Sequence, residues 1–460
     1  MFFQSLPLGL ARQLQPLLLG AALLLAGPAL AQTSPSTPGA AVPAGIAAGD
    51  SLTLDATVTS VLDANPSVTN LTELANAASG RLAQSRTGFL PQITGTATYT
   101  RLDPVVKLGF IPGQEPVQFN PNNNYDAHIT AQYLLLDFGK NVATVRLSES
   151  QVQTAQDNVV VARRDLAFNA AQVYYNILFM RESIRVQDQQ LASLQAHRNE
   201  MAKRVEGGVS TRFDVTTTDV RITQAQNTKI DLQNQLLNQQ VQLARLLHKS
   251  AQADVPVRGR LTFEPQPVDL AVELAQAAEN RPEVKLTRDA EKTAELQTRL
   301  VEHSNMPYLG VGAQVGAKNG YLPEINTIKF NTVGVAQLSV PIYDGNKNKN
   351  QRVEALANAR ATVARTADMQ EQIRADVRQA VNNLTFSQAR YDNAQQQVAQ
   401  ATEALTKARA RYRYGVGANL DVLDAETQLA QSRLSRAQAM YNYTLGQYQL
   451  KRATGEQIWK

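Results

Sequence analysis

Apolar and small residues recur at Val152, Ala155, Val159, Ala162, Leu166, Ala170, Val173, Ile177, Met180 and Ile184, in steps of three and four. That spacing returns to one face of a 3.6-residue turn and predicts a continuous packing stripe along a helix. The helix is very long: neither Gly nor Pro interrupts Lys140–Glu206 or Asn346–Tyr414, stretches of 67 and 69 residues. At 1.5 Å per residue each reaches roughly 100 Å. Such a helix needs neighbours of similar length, as in a coiled-coil array. Glycines stop both helices, Gly207 and Gly208 in the first and Gly415 and Gly417 in the second, and helical segments resume over Val215–Leu247 and Val422–Tyr448. Each long helix thus opens an antiparallel hairpin. The short turns place Asp214 in one hairpin, and Asp421 and Asp424 in the other, at the far tip.

A period of two takes over upstream of each hairpin. In Ile93–Tyr99, apolar or small residues alternate with Thr94, Thr96 and Thr98. Over Ala127–Leu135, Ala127, Ile129, Ala131, Tyr133 and Leu135 alternate with His128, Thr130 and Gln132. Leu309–Val315 and Gly334–Val340 keep the same phase. These read as four strands with one apolar face. A soluble four-stranded sheet packed on helices fits that pattern. In a membrane, four strands cannot close, since the smallest usual barrels have about eight, and several chains would share one barrel.

The two hairpins belong to two copies of one unit. Pro66 and Pro91 return as Pro282 and Pro307, 216 residues later. Asp137-Phe138-Gly139-Lys140-Asn141 returns as Asp344-Gly345-Asn346-Lys347-Asn348 at an offset of 207, which also relates Arg204 to Arg411, Gly208 to Gly415, Val209 to Val416 and Asp214 to Asp421. The expected organisation is a first repeat over 51–255, a linker over 256–267, a second repeat over 268–455 and a tail over 456–460. Ahead of these, 1–31 reads as a secretory signal peptide, with Arg12, an apolar run at Leu17–Leu25 and then Ala29-Leu30-Ala31. Residues 32–50 read as a flexible Pro/Ala/Ser/Thr linker. No later stretch approaches the ~20 apolar residues of a spanning helix.

Composition narrows the chemistry. The 460 residues contain no Cys, 4 His and 1 Trp, which excludes a disulfide framework, a thiolate metal site, a cysteine nucleophile and an acylated N-terminal cysteine. Lys and Arg number 45 against 40 Asp and Glu, spread along the chain without a basic patch interleaved with aromatics, so nucleic acid is not an expected partner. No zincin, P-loop or nucleophile-elbow motif occurs, and His128, His197, His248 and His303 stand apart in sequence. No catalytic residue, cofactor or metal site is expected.

The duplication, the run Pro341-Ile342-Tyr343-Asp344-Gly345 leading into a long helix, and the stretch Tyr412-Arg413-Tyr414-Gly415-Val416-Gly417-Ala418-Asn419-Leu420-Asp421-Val422-Leu423-Asp424-Ala425 are similar to the TolC-like outer-membrane efflux proteins of the non-lipoprotein type. The resemblance implies a mainly α fold with a small β part. Three chains would form a homotrimer whose duplicated hairpins make an α-barrel reaching into the periplasm. Four strands per chain would close a shared twelve-stranded barrel in outer-membrane lipid. The implied function is the exit duct of a tripartite efflux or type I secretion system, engaged by a periplasmic adaptor and an inner-membrane transporter. By the same resemblance Asp214, Tyr412, Asp421 and Asp424 form the periplasmic entrance, Gly208, Gly415 and Gly417 turn the hairpins, and Asp137 and Asp344 mark strand-to-helix junctions. Rings of carboxylates in a trimer would favour cations, and Tyr412 is expected to donate to Asp214. Gly417 stands where a family member carries an arginine, leaving Arg212, Arg411 and Arg413 as candidate replacements. The same aspartates also suit simple helix capping, with Thr211-x-x-Asp214 as the pattern. An exported adhesive coiled-coil protein and a periplasmic adaptor are the alternative functions.

Overall fold

The computed structural model describes residues 52–109, 117–252 and 255–459. The expected signal peptide 1–31 and linker 32–50 lie outside the described residues. In chain order the elements are α1 (Leu54–Ala64), α2 (Pro66–Arg86), β1 (Gln92–Arg101), β2 (Lys107–Leu108), β3 (Val117–Gln118), β4 (Asn123–Leu136), α3 (Lys140–Glu206) and α4 (Arg212–Leu246). The sequence of elements then repeats as α5 (Leu270–Asn280), α6 (Pro282–His303), β5 (Tyr308–Lys318), β6 (Lys329–Ser339), α7 (Lys347–Arg413) and α8 (Asn419–Thr454). The fold is mainly helical with a small β part, and the described elements belong to the unit Gly49–Lys460.

The long helices have the expected bounds, 67 residues each. The return helices begin three residues before Val215 and Val422, because their N-termini absorb the turn residues. The pairs α1–α2 and α5–α6 were not expected from the sequence pattern. Pro66 and Pro282 mark the repeat, yet each is the first residue of a helix, where the missing N–H costs nothing. Asn65 makes the corner between α1 and α2: its side chain accepts from Ser67 N–H and donates to the Leu246 carbonyl. The linker 256–267 is strapped down. Leu52 and Val257 bridge in parallel, and Tyr174 and Arg181 of α3 donate to the carbonyls of Arg258 and Val257.

The upper half of α3 departs from the expected stripe. Val152, Ala155, Val159, Ala162 and Leu166 are only half-buried, whereas Ser150, Asp157 and Arg164 are buried against α6. There Ser150 bonds Thr293 at 2.8 Å, Lys285 donates to Asp157 at 2.8 Å, and Arg164 grips Glu283 at 2.7 and 2.8 Å. Arg281 adds Asp376 of α7 at 2.8 Å. Polar matching between helices thus replaces apolar packing in this zone. Lower down the stripe is apolar as expected, with Ala170, Val173, Ile177 and Met180 buried. A core of Ile373, Val377, Ala380, Leu384 and Tyr443 joins α7 to α8 and α5.

The sheet is antiparallel in the order β1-β4-β5-β6. Its register aligns the alternation of all four strands. Ile93 pairs with Ala131, which pairs with Ala313, which pairs with Gly334; Ala97, Ala127, Ala317 and Phe330 form a second such row. The opposite face carries Thr94, Thr130, Gln314 and Val333 in one row and Thr96, His128, Gly316 and Asn331 in another, polar except where β6 places Val333 and Val335. A register slip of one residue would have scrambled both faces. Ile93, Tyr99, Ile129, Leu135, Phe330 and Leu338 are all exposed, so nothing among the described residues covers the apolar face. Gly316 permits the tight approach of β4: an added Cβ would lie 2.4 Å from the Ala127 carbonyl oxygen. A bulge at Leu134/Leu136 ends the β4–β5 ladder just before the helix. Among the described residues between β1 and β4, β2 pairs with β3 in a short ribbon that the sequence pattern did not suggest.

Candidate entrance at the hairpin tips

The two turns are built alike. Gly207, Gly208 and Val209 donate backwards to Lys203, Val205 and Arg204; Tyr414, Gly415 and Val416 do the same to Ala410, Tyr412 and Arg411. Gly208 and Gly415 have φ of +72° and +75°, the left-handed conformation that ends a helix most cheaply at glycine. Gly417 has another reason: a Cβ there would come within 3.0 Å of the Arg411 Cβ.

Asp214 caps α4. It accepts from the Thr211 N–H at 3.2 Å, the Thr211 hydroxyl at 2.9 Å and the Ser210 hydroxyl at 2.9 Å. Burial pushes its carboxyl upward, but these donors outweigh that and hold it below the usual carboxylate range. Tyr412 does not bond Asp214. Its hydroxyl donates to the Met201 sulfur at 2.8 Å and lies 3.4 Å from Ser210 Oγ, so Ser210 stands between the two expected partners. The phenol reaches instead across to α3, where Met201 is fully buried.

Asp421 accepts from the Ala418 N–H at 3.1 Å and caps α8 in the same way. Asp424, one turn on, pairs with Arg221 of α4 at 3.2 Å. None of Arg212, Arg411 and Arg413 makes this contact; the cation comes from further along α4. Both carboxylates are exposed. The junction aspartates are caps as well: Asp137 accepts from Gly139 and Asn141 N–H at 3.1 and 2.6 Å, and Asp344 from Asn348 N–H at 2.8 Å.

Several tip residues were missed by sequence reasoning. His197 is buried, donates from Nε2 to Asn419 Oδ1 at 2.7 Å and meets the Tyr412 ring edge-on at 5.6 Å. Asn419 in turn donates to the Asp214 carbonyl at 3.1 Å. Arg204 lies 5.1 Å above the Tyr412 ring. Glu426, 3% exposed, accepts from Ser193 at 2.7 Å and from Arg409. One signal existed for that last pair: Arg409 and Glu426 lie almost equally far from the turn, so antiparallel helices must bring them level. His128 sits on the polar sheet face, 2.9 Å from Asp126 two residues away.

Around these caps the tip exposes apolar side chains: Val209 at 74%, Phe213 at 74%, Tyr414 at 82%, Val416 at 68% and Leu420 at 57%. Such exposure in a turn marks a contact surface.

The sequence model of the family described as outer membrane efflux protein matches residues 57–248 and 274–456. The chain belongs to that family. It is 23% identical to the outer membrane protein TolC of Escherichia coli over 405 residues, 85% of this chain and 80% of that protein. It is 25% identical to the alkaline protease secretion protein AprF of Pseudomonas aeruginosa over 348 residues, 71% of this chain and 69% of that protein. Among solved structures, the outer membrane protein VceC of Vibrio cholerae superposes with a TM-score of 0.74 at 20% identity, covering 88% of this chain and 96% of that one. The chain is thus an outer-membrane protein that extends into the periplasm, and its function is that of an exit duct for efflux or secretion.

Proposed function

We propose that three copies of this chain close one duct. The observation that carries this reading is the sheet: an exposed apolar face, a polar opposite face and, among the described residues, no strand beyond β1 or β6. Unpaired strand edges cannot remain in hydrocarbon, so β6 of one chain must pair with β1 of the next until the ring closes. Three chains give twelve strands, within the range of known barrels. The apolar rows then meet lipid, and the rows of Thr, Gln, His and Asn, with Val333 and Val335 of β6 among them, line the lumen.

Below the membrane, the two repeats, 51–255 and 268–455, each contribute one hairpin to a tube of helices. Asp421 and Asp424 project from the tips as two rings of three carboxylates, which select for cations in a narrow aperture. Tyr412 and Asp214 brace the first hairpin against the second through Ser210. The exposed apolar tip is the contact for a periplasmic adaptor, through which an inner-membrane transporter loads the duct. No chemistry is asked of the chain itself, and the class of cargo is set by that transporter.

Single-channel conductance in a planar bilayer tests the reading. The wild type should show a small, cation-selective conductance, and Asp421→Ala/Asp424→Ala a larger one with weaker selectivity. A channel unchanged by the double substitution would reduce Asp421 to a helix cap and Asp424 to the ion-pair partner of Arg221. Absence of any channel from extracted protein would overturn the duct.

A further inference from the structure

The join between the two repeats has an uncovered counterpart at mid-height. On α3 the stripe Ser150, Asp157 and Arg164 is buried against α6. An offset of 207 residues carries that stripe onto Ala357, Ala364 and Glu371 of α7, and all three are exposed. The facing residues of α6 are Glu283, Asp289 and Thr293. An offset of 216 carries them back onto Ser67, Glu73 and Ala77 of α2, which are exposed as well. Each chain thus shows the two halves of one further join. In a closed ring the second repeat of one copy must meet the first repeat of the next through an equivalent contact.

At the lower end of this join the charges change in a matched way. Inside the chain, α3 enters between the start of α6 and the end of α8: Arg164 donates to Glu283 at 2.7 Å and Asp165 accepts from Arg452 at 2.9 Å. At the counterpart positions Arg164 becomes Glu371, Asp165 becomes Gln372 and Glu283 becomes Ser67, while Arg452 remains basic as Arg245. The entering helix gains an acid where it had a base, and the receiving side loses its acid and keeps its base. Arg245 is exposed and has no acidic partner among the described residues. It borders a cleft of about 690 Å³ between the start of α2, the middle of α3 and the end of α4. Asn65, Ser67, Asn169, Gln242 and His248 also line that cleft, and no carboxylate does. Glu371 is held only by Arg374 of its own helix, an exposed pair of the kind that contributes little. Gln372 is turned to Asp376 of its own helix at 2.7 Å.

We propose that this cleft receives Glu371 of the adjacent copy, which pairs there with Arg245, and that three such clasps fasten the ring at mid-height. The proposal rests on the ring described above. The start of α2, on the cleft wall, adds the partial positive charge of a helix N-terminus. Above the clasp, Ala357 and Ala77 replace Ser150 and Thr293, so α7 and α2 can approach closely. Below it, α7 runs on for roughly 60 Å to the tip. The clasp therefore binds copies together without bordering the aperture, and the hairpin ends can move while it stays closed.

The test uses the full-length, detergent-extracted protein. Glu371→Arg should dissociate to monomers at a temperature where the wild type is still trimeric by native mass, and Glu371→Arg/Arg245→Glu should restore the trimer. The restored trimer should conduct as the wild type does in a planar bilayer; an altered conductance would contradict a clasp remote from the aperture. The chain has no Cys, so a cysteine pair gives a second reading without background. Glu371→Cys/Arg245→Cys, treated with a short bifunctional thiol reagent, should run as a covalent trimer on a denaturing gel. Wild-type trimer stability in Glu371→Arg, or only monomer from the cysteine pair in a protein that is trimeric by native mass, would overturn the clasp and leave the ring standing. A wild type that is not trimeric by native mass would remove the ring and the clasp together.

Discussion

Asp157 and Asp289 face each other between α3 and α6, with Lys285 2.8 Å from Asp157. For Asp157, burial pulls the carboxyl upward, but hydrogen bonds with Asp289 and Lys285, and the lysine charge, bring it below its usual range. Asp289 is raised, first by burial and then by the hydrogen bond and charge of Asp157. A carboxyl raised on folding stabilises the fold below its unfolded pKa, and that contribution is lost as pH rises through the raised value. Asp289→Asn should therefore melt at a higher temperature than wild type at pH 8, with the difference closing towards pH 4. A lower melting temperature at pH 8 would count against the raised Asp289 carboxyl. This pair was not legible in the sequence, because two aspartates 132 positions apart meet only once α6 lies along α3. Asp214 was legible as a cap, since Thr-x-x-Asp is a local pattern and the box forms within one turn. The partner of Tyr412 was not legible, because what the hydroxyl reaches on α3 depends on how the two hairpins are offset along one another.

Among the elements, the strands were the most readable, since alternation reports a face directly. Their register supplies a sharper test than the alternation did. Ala131 lies on the exposed apolar face between Ile93 and Ala313, while Thr130 points to the polar face between Thr94 and Gln314. Ala131→Arg should cost about 2–4 kcal/mol if the residue sits near mid-membrane, measured as the midpoint of urea unfolding in liposomes, whereas Thr130→Arg should be tolerated. Equal effects at the two sites would refute the assigned faces. The long helices were equally plain, because 67 residues without Gly or Pro admit few alternatives. The stripe on upper α3 was misplaced for a physical reason. Periodicity finds apolar surface, but there the helix contact is made by Arg164, Asp157 and Ser150, whose burial is offset by ion pairs and hydrogen bonds. Helices α1, α2, α5 and α6 escaped notice because a proline at N1 reads as a break until its position in the turn is known.

For the whole molecule, the exposed apolar tip predicts a separation of assembly from conduction. Val209→Glu/Val416→Glu should abolish export when the protein is produced with its transporter and adaptor, and should leave single-channel conductance in a planar bilayer unchanged. Loss of conductance in the purified variant would instead place these valines in the structure of the aperture. Export, the duplicated plan, the two hairpins, the strand faces and the family were all expected from the amino-acid order alone. Each of these rests on a local period, a turn residue or a repeated spacing, and such signals survive without knowledge of neighbours. The tertiary structure decided the partners: Met201 for Tyr412, Arg221 for Asp424, Asn419 for His197, and a polar rather than apolar join between α3 and α6. Those contacts depend on how far one long helix is displaced along another. A shift of a single turn, about 5.4 Å, exchanges every partner while leaving the sequence pattern of each helix untouched.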